Sequence, residues 1–282
     1  HLLGTLLTLK NVIPNRTKET ARHVVRKVVE ELEGRLRNPL VQAVRGALNK
    51  ASRTSRPKSG EIDWARTIQK NLKNYIPEKR TIIAERLVGY GRKRSSLRDI
   101  ILCVDQSGSM ASSVVYSSIC GAVLASLRAV STRLVVFDTS VVDLTEHLQD
   151  PVDVLFGTQL GGGTDINGAV GYCQTLIKRP NETIFVLISD LIEGGVAEQL
   201  LRRTAAIVQS GVTMVCLLAL SDQGAPCYDE RLAAQMSALG SPAFACTPEL
   251  FPSLMAAAIQ KRDLNEWAAR NEIVSQRPSA EQ

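Results

Sequence analysis

From residue 99 onward, short apolar runs alternate with stretches of helical period. The runs fall at 99–105, 133–138, 183–189, 212–220 and 243–247, and the helical stretches between them at 112–130, 166–178, 196–210 and 228–239. Strands of four to eight apolar residues separated by helices build βαβ units, which pair in parallel and are covered on both faces. The expected fold is therefore α/β, with a doubly wound, mostly parallel sheet. Residues 249–270 read as one closing helix and Ser275 to Gln282 as a frayed tail.

Upstream the pattern changes. Val25, Val29, Leu32, Leu36, Leu40, Val44 and Leu48 recur at three- to four-residue steps within 17–50, the period of an amphipathic helix. Asn38-Pro39 is expected to divide it in two. Residues 51–60 are polar, basic and aperiodic, and read as a flexible loop. Trp64, Ile68, Leu72 and Tyr75 mark one face of a second helix ending near Pro77, and 80–94 is strand-like in part. This gives a basic, mainly helical N-terminal region over 1–96, a sheet domain over 97–262, and the end of a helix plus a tail over 263–282. Charge follows the division. Residues 1–99 hold 23 Lys and Arg against 9 Asp and Glu, a net +14, whereas the remainder has 11 against 19, a net −8. So sharp a split implies different partners for the two regions, or their mutual attraction.

Only 4% of residues are aromatic while 44% are hydrophobic, so the core must be aliphatic. No apolar run approaches the roughly 18 residues that span a bilayer. The Leu2 to Leu9 run lacks the basic flank and cleavage site of a secretory leader. Six cysteines occur without a CxxC pair, as expected of reduced, buried thiols in a cytoplasmic protein rather than of a disulfide or zinc framework.

The chemistry gathers in three segments. The run Ile100-Ile101-Leu102-Cys103-Val104 stops at Asp105-Gln106-Ser107-Gly108-Ser109; Gly161-Gly162-Gly163-Thr164-Asp165 precedes a helix; and Ser189-Asp190 closes the run 184–188. A parallel sheet places such strand ends on one edge, where open α/β proteins bind ligands. Carboxylates and hydroxyls without Cys or His are the donors a hard divalent cation prefers, Mg²⁺ first, with Mn²⁺ or Ca²⁺ as substitutes.

Asp105, Ser107 and Ser109 with Thr164 and Asp190 resemble, in order, the metal-ion-dependent adhesion site of von Willebrand factor type A domains. The resemblance covers about 97–262. It implies that the two Ser and the Thr coordinate directly, that the two Asp act largely through water or close the shell, and that a partner's acidic residue fills the remaining position. Ile62-Asp63-Trp64-Ala65-Arg66-Thr67-Ile68 and Gly91-Arg92-Lys93-Arg94 are similar to the bacterial CoxE-like branch. That likeness implies a MoxR-type AAA+ ATPase as partner, while the adhesion-site resemblance implies a shift of the closing helix (249–270) when the metal site is engaged.

Other readings compete. Ser109, Thr164 and Asp165 also suit helix starts, where such residues are favoured without any metal. Asp165 and Glu193 are candidates to orient the ligands from behind, and Asp138 follows another strand. A magnesium- or manganese-dependent hydrolase is the enzymatic alternative, but it needs a general base, for which only Asp138 and Glu193 are near. No P-loop, HExxH or GxSxG motif is present, so the chain reads as a non-enzyme. Nucleic-acid binding by the basic region is a third reading, weakened by its lack of aromatic platforms. His23 and His147 stand isolated and read as surface positions.

Overall fold

The computed structural model describes residues 15–51, 53–54, 57, 59–90, 98–107, 110–127, 130–157, 163–218 and 228–273. The chain begins with helix α1 (Asn15–Ala51), strand β1 (Arg53–Thr54), helix α2 (Trp64–Lys70) and strands β2 (Tyr75–Ile76), β3 (Thr81–Ile82) and β4 (Gly89–Tyr90). There follow β5 (Arg98–Asp105), α3 (Ala111–Ala125), β6 (Val130–Phe137), β7 (Val141–Asp143), α4 (Pro151–Gly157), α5 (Ile166–Leu176) and β8 (Thr183–Ser189). The order closes with α6 (Ala197–Gln209), β9 (Thr213–Leu218), α7 (Glu230–Ala238), β10 (Ala243–Ala245), α8 (Phe251–Ile259) and α9 (Leu264–Arg270).

The main sheet runs β10-β9-β8-β5-β6-β7. Its pairings are parallel except β6 with the edge strand β7. Alternate residues of β5 serve opposite faces, as the two-residue period requires. Ile100, Leu102 and Val104 join one core with α3, α4, α8 and α9, while Ile101 and Cys103 join the other with α5, α6 and α7. The doubly wound expectation holds. β6 returns on one side of β5 and β8 on the other, so the chain reverses direction at the carboxyl ends of β5 and β8. In an open parallel sheet that reversal opens a crevice.

The N-terminal helix is integral to this body. Val25, Val29, Leu36, Leu40, Val44 and Leu48 are buried in the same core as β5, and α1 lies across α3, α4 and α8. Helix and sheet therefore share a core across the division expected at residue 97. Arg26 adds an exposed ion pair to Asp150, just ahead of α4, at 3.3 Å.

Four expectations need correction. The second helix does not run to Pro77: α2 ends at Lys70, Leu72 lies in a 3-10 turn and Tyr75 in strand β2. Pro39 does not split the helix: it sits inside α1. Its ring is exposed while Leu36 and Leu40 on either side are buried, so packing outweighs the one lost main-chain hydrogen bond. Pro39→Ala is expected to stabilise the chain by about 1–3 kcal/mol, the helix-interior cost of proline; an unmoved or lowered urea midpoint would show that the proline costs this helix nothing. The closing helix is two helices, because the chain turns at Lys261 (φ 53°) and restarts at Asp263, whose side chain caps α9. The stretch 51–60 is not loop throughout: β1 pairs antiparallel with β4. The short edge strand β7 and helix α4 carried too little periodicity to be foreseen.

Candidate metal centre

Asp105 is the last residue of β5 and fully buried, with Ser189 beside it at the end of β8. Ser189 Oγ donates to Asp105 Oδ2 at 2.9 Å, and the Ser107 backbone N–H donates to Asp105 Oδ1 at 2.8 Å. The chain leaves β5 under control: Gln106 N–H donates to Phe137 O at 2.9 Å and Met110 N–H to Ser107 O at 2.9 Å. Asp190 follows β8 and is 4% exposed. Its Oδ1 accepts from Ile192 N–H at 3.0 Å, and its carbonyl from Asp229 N–H at 2.9 Å.

Burial raises the pKa of Asp105, and the negative charge of Asp190 adds to the rise. Hydrogen bonds from the Ser107 N–H, the Ser189 hydroxyl and the Ser107 hydroxyl pull it back down. Asp105 thus sits desolvated beside a second carboxylate that opposes its ionisation, a setting a cation relieves.

Thr164 reaches the same edge through two backbone bonds. Asp165 N–H donates to Asp138 O at 2.8 Å, and Gly194 N–H to Thr164 O at 2.8 Å. A Cβ on Gly194 would lie 2.6 Å from that Thr164 oxygen. Gly194→Ala must therefore push the 163–165 and 190–195 loops apart, with an expected destabilisation of about 1–3 kcal/mol; thermal melting at wild-type temperature would disprove the close approach. Leu191, next to Asp190, is fully buried at φ 59°. A left-handed bulky residue costs about 1–2 kcal/mol and marks a site over-determined by its surroundings. Its N–H donates to Ser189 Oγ at 3.0 Å, which ties the strained turn to Asp105.

Of the five ligands expected from sequence, Asp105, Ser107, Thr164 and Asp190 lie on this carboxyl edge, and Ser109 lies outside the described residues, as do Gly161 and Gly162. Asp165 caps α5, accepting from Gly168 N–H at 2.7 Å. Glu193 spends both oxygens on backbone: Oε1 on Gly195 N–H at 2.8 Å and Oε2 on Asn167 N–H at 3.0 Å. Burial raises its pKa, with Asp165 adding to the effect and these bonds opposing it. Asp138 is held by Ser140, whose N–H and hydroxyl donate to its Oδ1 at 2.7 and 2.9 Å. Ser189, which the sequence offers beside Asp190, supports the site through its bond to Asp105, and Gly194 supports it without having been singled out. Among the described residues no three His, Cys, Asp or Glu side chains gather as a metal cluster. Two carboxylates supplemented by hydroxyls remain a fit donor set for Mg²⁺, which keeps waters of its own.

Among the described residues the cysteines Cys103, Cys120, Cys173 and Cys216 are buried and free, and Cys246 is free and half-buried. Desolvation pushes the Cys120 thiol up to about 12, so it stays protonated and inert. Cys227 lies outside the described residues. Exposed His23 agrees with a surface position, as does His147. No described helix is long and apolar enough to cross a membrane.

A sheet of this order, with carboxylate and hydroxyl groups collected at its reversal point, defines a von Willebrand factor type A fold. Residues 34–255 match the family described as VWA domain containing CoxE-like protein, and the chain belongs to that family. It is 37% identical over 261 residues to the Escherichia coli (strain K12) protein named "Uncharacterized protein YehP", covering 92% of this chain and 69% of that one. Among solved structures it is similar to an aerotolerance-related membrane protein from Bacteroides fragilis, at 12% identity and TM-score 0.44, over 58% of this chain and 99% of that one. A von Willebrand factor type A protein from Catenulispora acidiphila is similar at 12% identity and TM-score 0.42, over 59% and 42% of the two chains. Likenesses at that level say nothing about function. Membership of the family is consistent with a protein-interaction module.

Proposed function

We propose that this chain is a cation-dependent protein-interaction module and not an enzyme, with Asp105, Ser107, Ser109, Thr164 and Asp190 holding Mg²⁺ and a partner's carboxylate completing the shell. The observation that carries the reading is the pair Asp105 and Asp190, two buried carboxylates at the reversal point of the sheet. A bound Mg²⁺ would supply a hard positive centre with a coordination position open to an acidic side chain. The protein's own groups do the positioning. Ser189 and the Ser107 N–H fix both oxygens of Asp105, Gly194 brings the Thr164 loop onto the Asp190 loop, and Leu191 anchors the turn between them. Ile192 and Val196 stand 55% and 53% exposed on that same loop, an apolar rim for a docked partner to cover.

The non-enzymatic reading is supported by the two candidate bases. Asp138 and Glu193 are occupied as loop staples, with Ser140 on the one and backbone N–H groups on both oxygens of the other. The partner class is a MoxR-type AAA+ ATPase, an assignment that rests on the CoxE-like family. Capture of such an ATPase by the immobilised chain is expected in Mg²⁺, with at least a tenfold loss in chelator and in Asp190→Ala. Capture indifferent to both would remove metal-mediated docking.

A further inference from the structure

At the amino end of the sheet, the far edge from Asp105, the face under α5 turns polar. Val135 and Phe137 of β6 are buried in the core beneath α5, but Arg133 and Ser131, which follow on the same face by the two-residue period, are not. They lie in register with Ile101 and Asp99 of β5. Leu176 at the end of α5, with Lys178 and Arg179 beyond it, closes a cavity of about 160 Å³ over these residues. That is room for far more than one water. The carboxylates of this edge are already spent. Arg179 donates to Asp99 twice, Nε to Oδ2 at 3.0 Å and Nη2 to Oδ1 at 2.8 Å. Arg98 holds Glu182, and its Nη2 donates to Ile259 O at 3.3 Å. Asp143 on the neighbouring strand accepts from Thr145 N–H at 2.9 Å and from Tyr172 Oη at 3.1 Å. Arg133 and Lys178 remain. Among the described residues neither has an ion pair or a side-chain hydrogen bond. Arg133 is half-buried, and a guanidinium drawn partly out of water without a counter-ion is unfavourable.

We propose that this cavity is an anion site for a phosphate monoester, held by Arg133 and Lys178 with the Ser131 hydroxyl at its rim. Charge selects the class of ligand. Arg133, Lys178 and Arg179 bring three positive charges against the one negative charge of Asp99, which leaves +2. A phosphate monoester near neutral pH carries about −1.5 to −2, whereas a single carboxylate leaves one cation unmatched. The planar guanidinium fork of Arg133 suits two phosphate oxygens, and the Lys178 ammonium acts as a point charge. Arg179, with Nε and Nη2 engaged by Asp99, contributes charge to the wall. Asp99 and Asp105 stand near opposite ends of β5, roughly 20 Å apart at about 3.3 Å per residue. The anion site is therefore separate from the cation site and does not depend on it. The recognition chemistry is the same whether the phosphoryl group belongs to a small free ester or to a phosphorylated serine of a protein.

The test is calorimetric titration of the full chain, in chelator so that the cation site is silent, with glycerol 3-phosphate, with a short blocked phosphoserine peptide and with acetate. One site is expected, with a dissociation constant below about 1 mM for at least one of the two phosphate esters. Affinity should fall by about tenfold or more in Arg133→Gln and in Lys178→Gln, since each removes a charge-assisted bond. Asp99→Asn deletes the opposing charge and releases Arg179, so it should tighten binding by about tenfold, a gain that a merely structural ion pair would not give. That pair is 44% and 22% exposed on its two sides, so its loss leaves the fold intact, checked by circular dichroism. Asp105→Ala should bind the esters as wild type does. Binding of glycerol 3-phosphate alone assigns the site to a free ester, and tighter binding of the peptide assigns it to a phosphorylated serine. Heats equal to buffer for both esters overturn the proposal, as do acetate bound equally well, an affinity unmoved in Arg133→Gln, or no gain in Asp99→Asn.

Discussion

In calorimetric titration with Mg²⁺, the wild-type chain is expected to bind a single ion and Asp105→Ala to give heats no different from buffer. Asp105 is fully buried at the strand tip, with both oxygens oriented by Ser107 and Ser189, so its loss removes charge that Asp190 alone does not replace. Binding only to the folded state should raise unfolding stability by about 2.7 kcal/mol at a Mg²⁺ concentration one hundred times the dissociation constant, and that increment should vanish in the variant. Asp105→Asn serves as the control for shape, because it retains an oxygen to accept from Ser107 while removing the charge. The sign with pH follows from the raised pKa of Asp105. Without cation, the folded state holds the proton more tightly than the unfolded chain, so this group's contribution favours folding at low pH and is lost as pH rises through its folded pKa. With Mg²⁺ the trend reverses, because protonation competes with the ion. Metal stabilisation should therefore fade on acidification at a higher pH than an ordinary carboxylate would give. Equal heats in wild type and Asp105→Ala would sink the cation site.

Leu40→Ala is expected to destabilise the whole chain by about 2–5 kcal/mol, the usual cost of emptying a fully buried leucine site. Leu40 lies on α1, one of the segments the sequence assigned to a separate basic region, yet it is fully buried in the core that contains β5. For a chain of this size the loss corresponds to a fall in melting temperature of roughly 2–4 °C per kcal/mol. The unfolding transition should stay single and shift as one. A change under about 0.5 kcal/mol, or a separate early transition confined to helix signal, would show that α1 is an appendage resting on the sheet domain. The packing of α1 over α8 also bears on the helix shift implied by the adhesion-site resemblance, because α8 has a cover to break before it slides.

The parallel sheet, the helices between its strands and the placement of Asp105, Thr164 and Asp190 at strand ends and loops were legible in the sequence. They depend on short-range patterns: a two-residue or near four-residue period, and polar residues where an apolar run stops. What lay beyond that reading involves groups distant in the chain. Pro39 reads locally as a break, and only burial of Leu36 and Leu40 on either side shows the helix running through it. Glu193 reads as a loose loop carboxylate, and only the structure brings Asn167 N–H to its Oε2 at 3.0 Å. Trp64, Ile68, Leu72 and Tyr75 read as one helix face, but α2 ends at Lys70 and Tyr75 falls in β2, because the polar bonds of Asn71 to Arg86 and the pairing of β2 with β3 turn the chain away from the helix. Local propensity and patterning thus determined the main strands, the helices between them and the polar side chains at the strand ends. Tertiary structure decided that the basic helix completes the core, that two carboxylates share one desolvated crevice, and that Trp64 and Ile68 of α2 stay in water, because burial and mutual charge exist only between segments that folding has brought together.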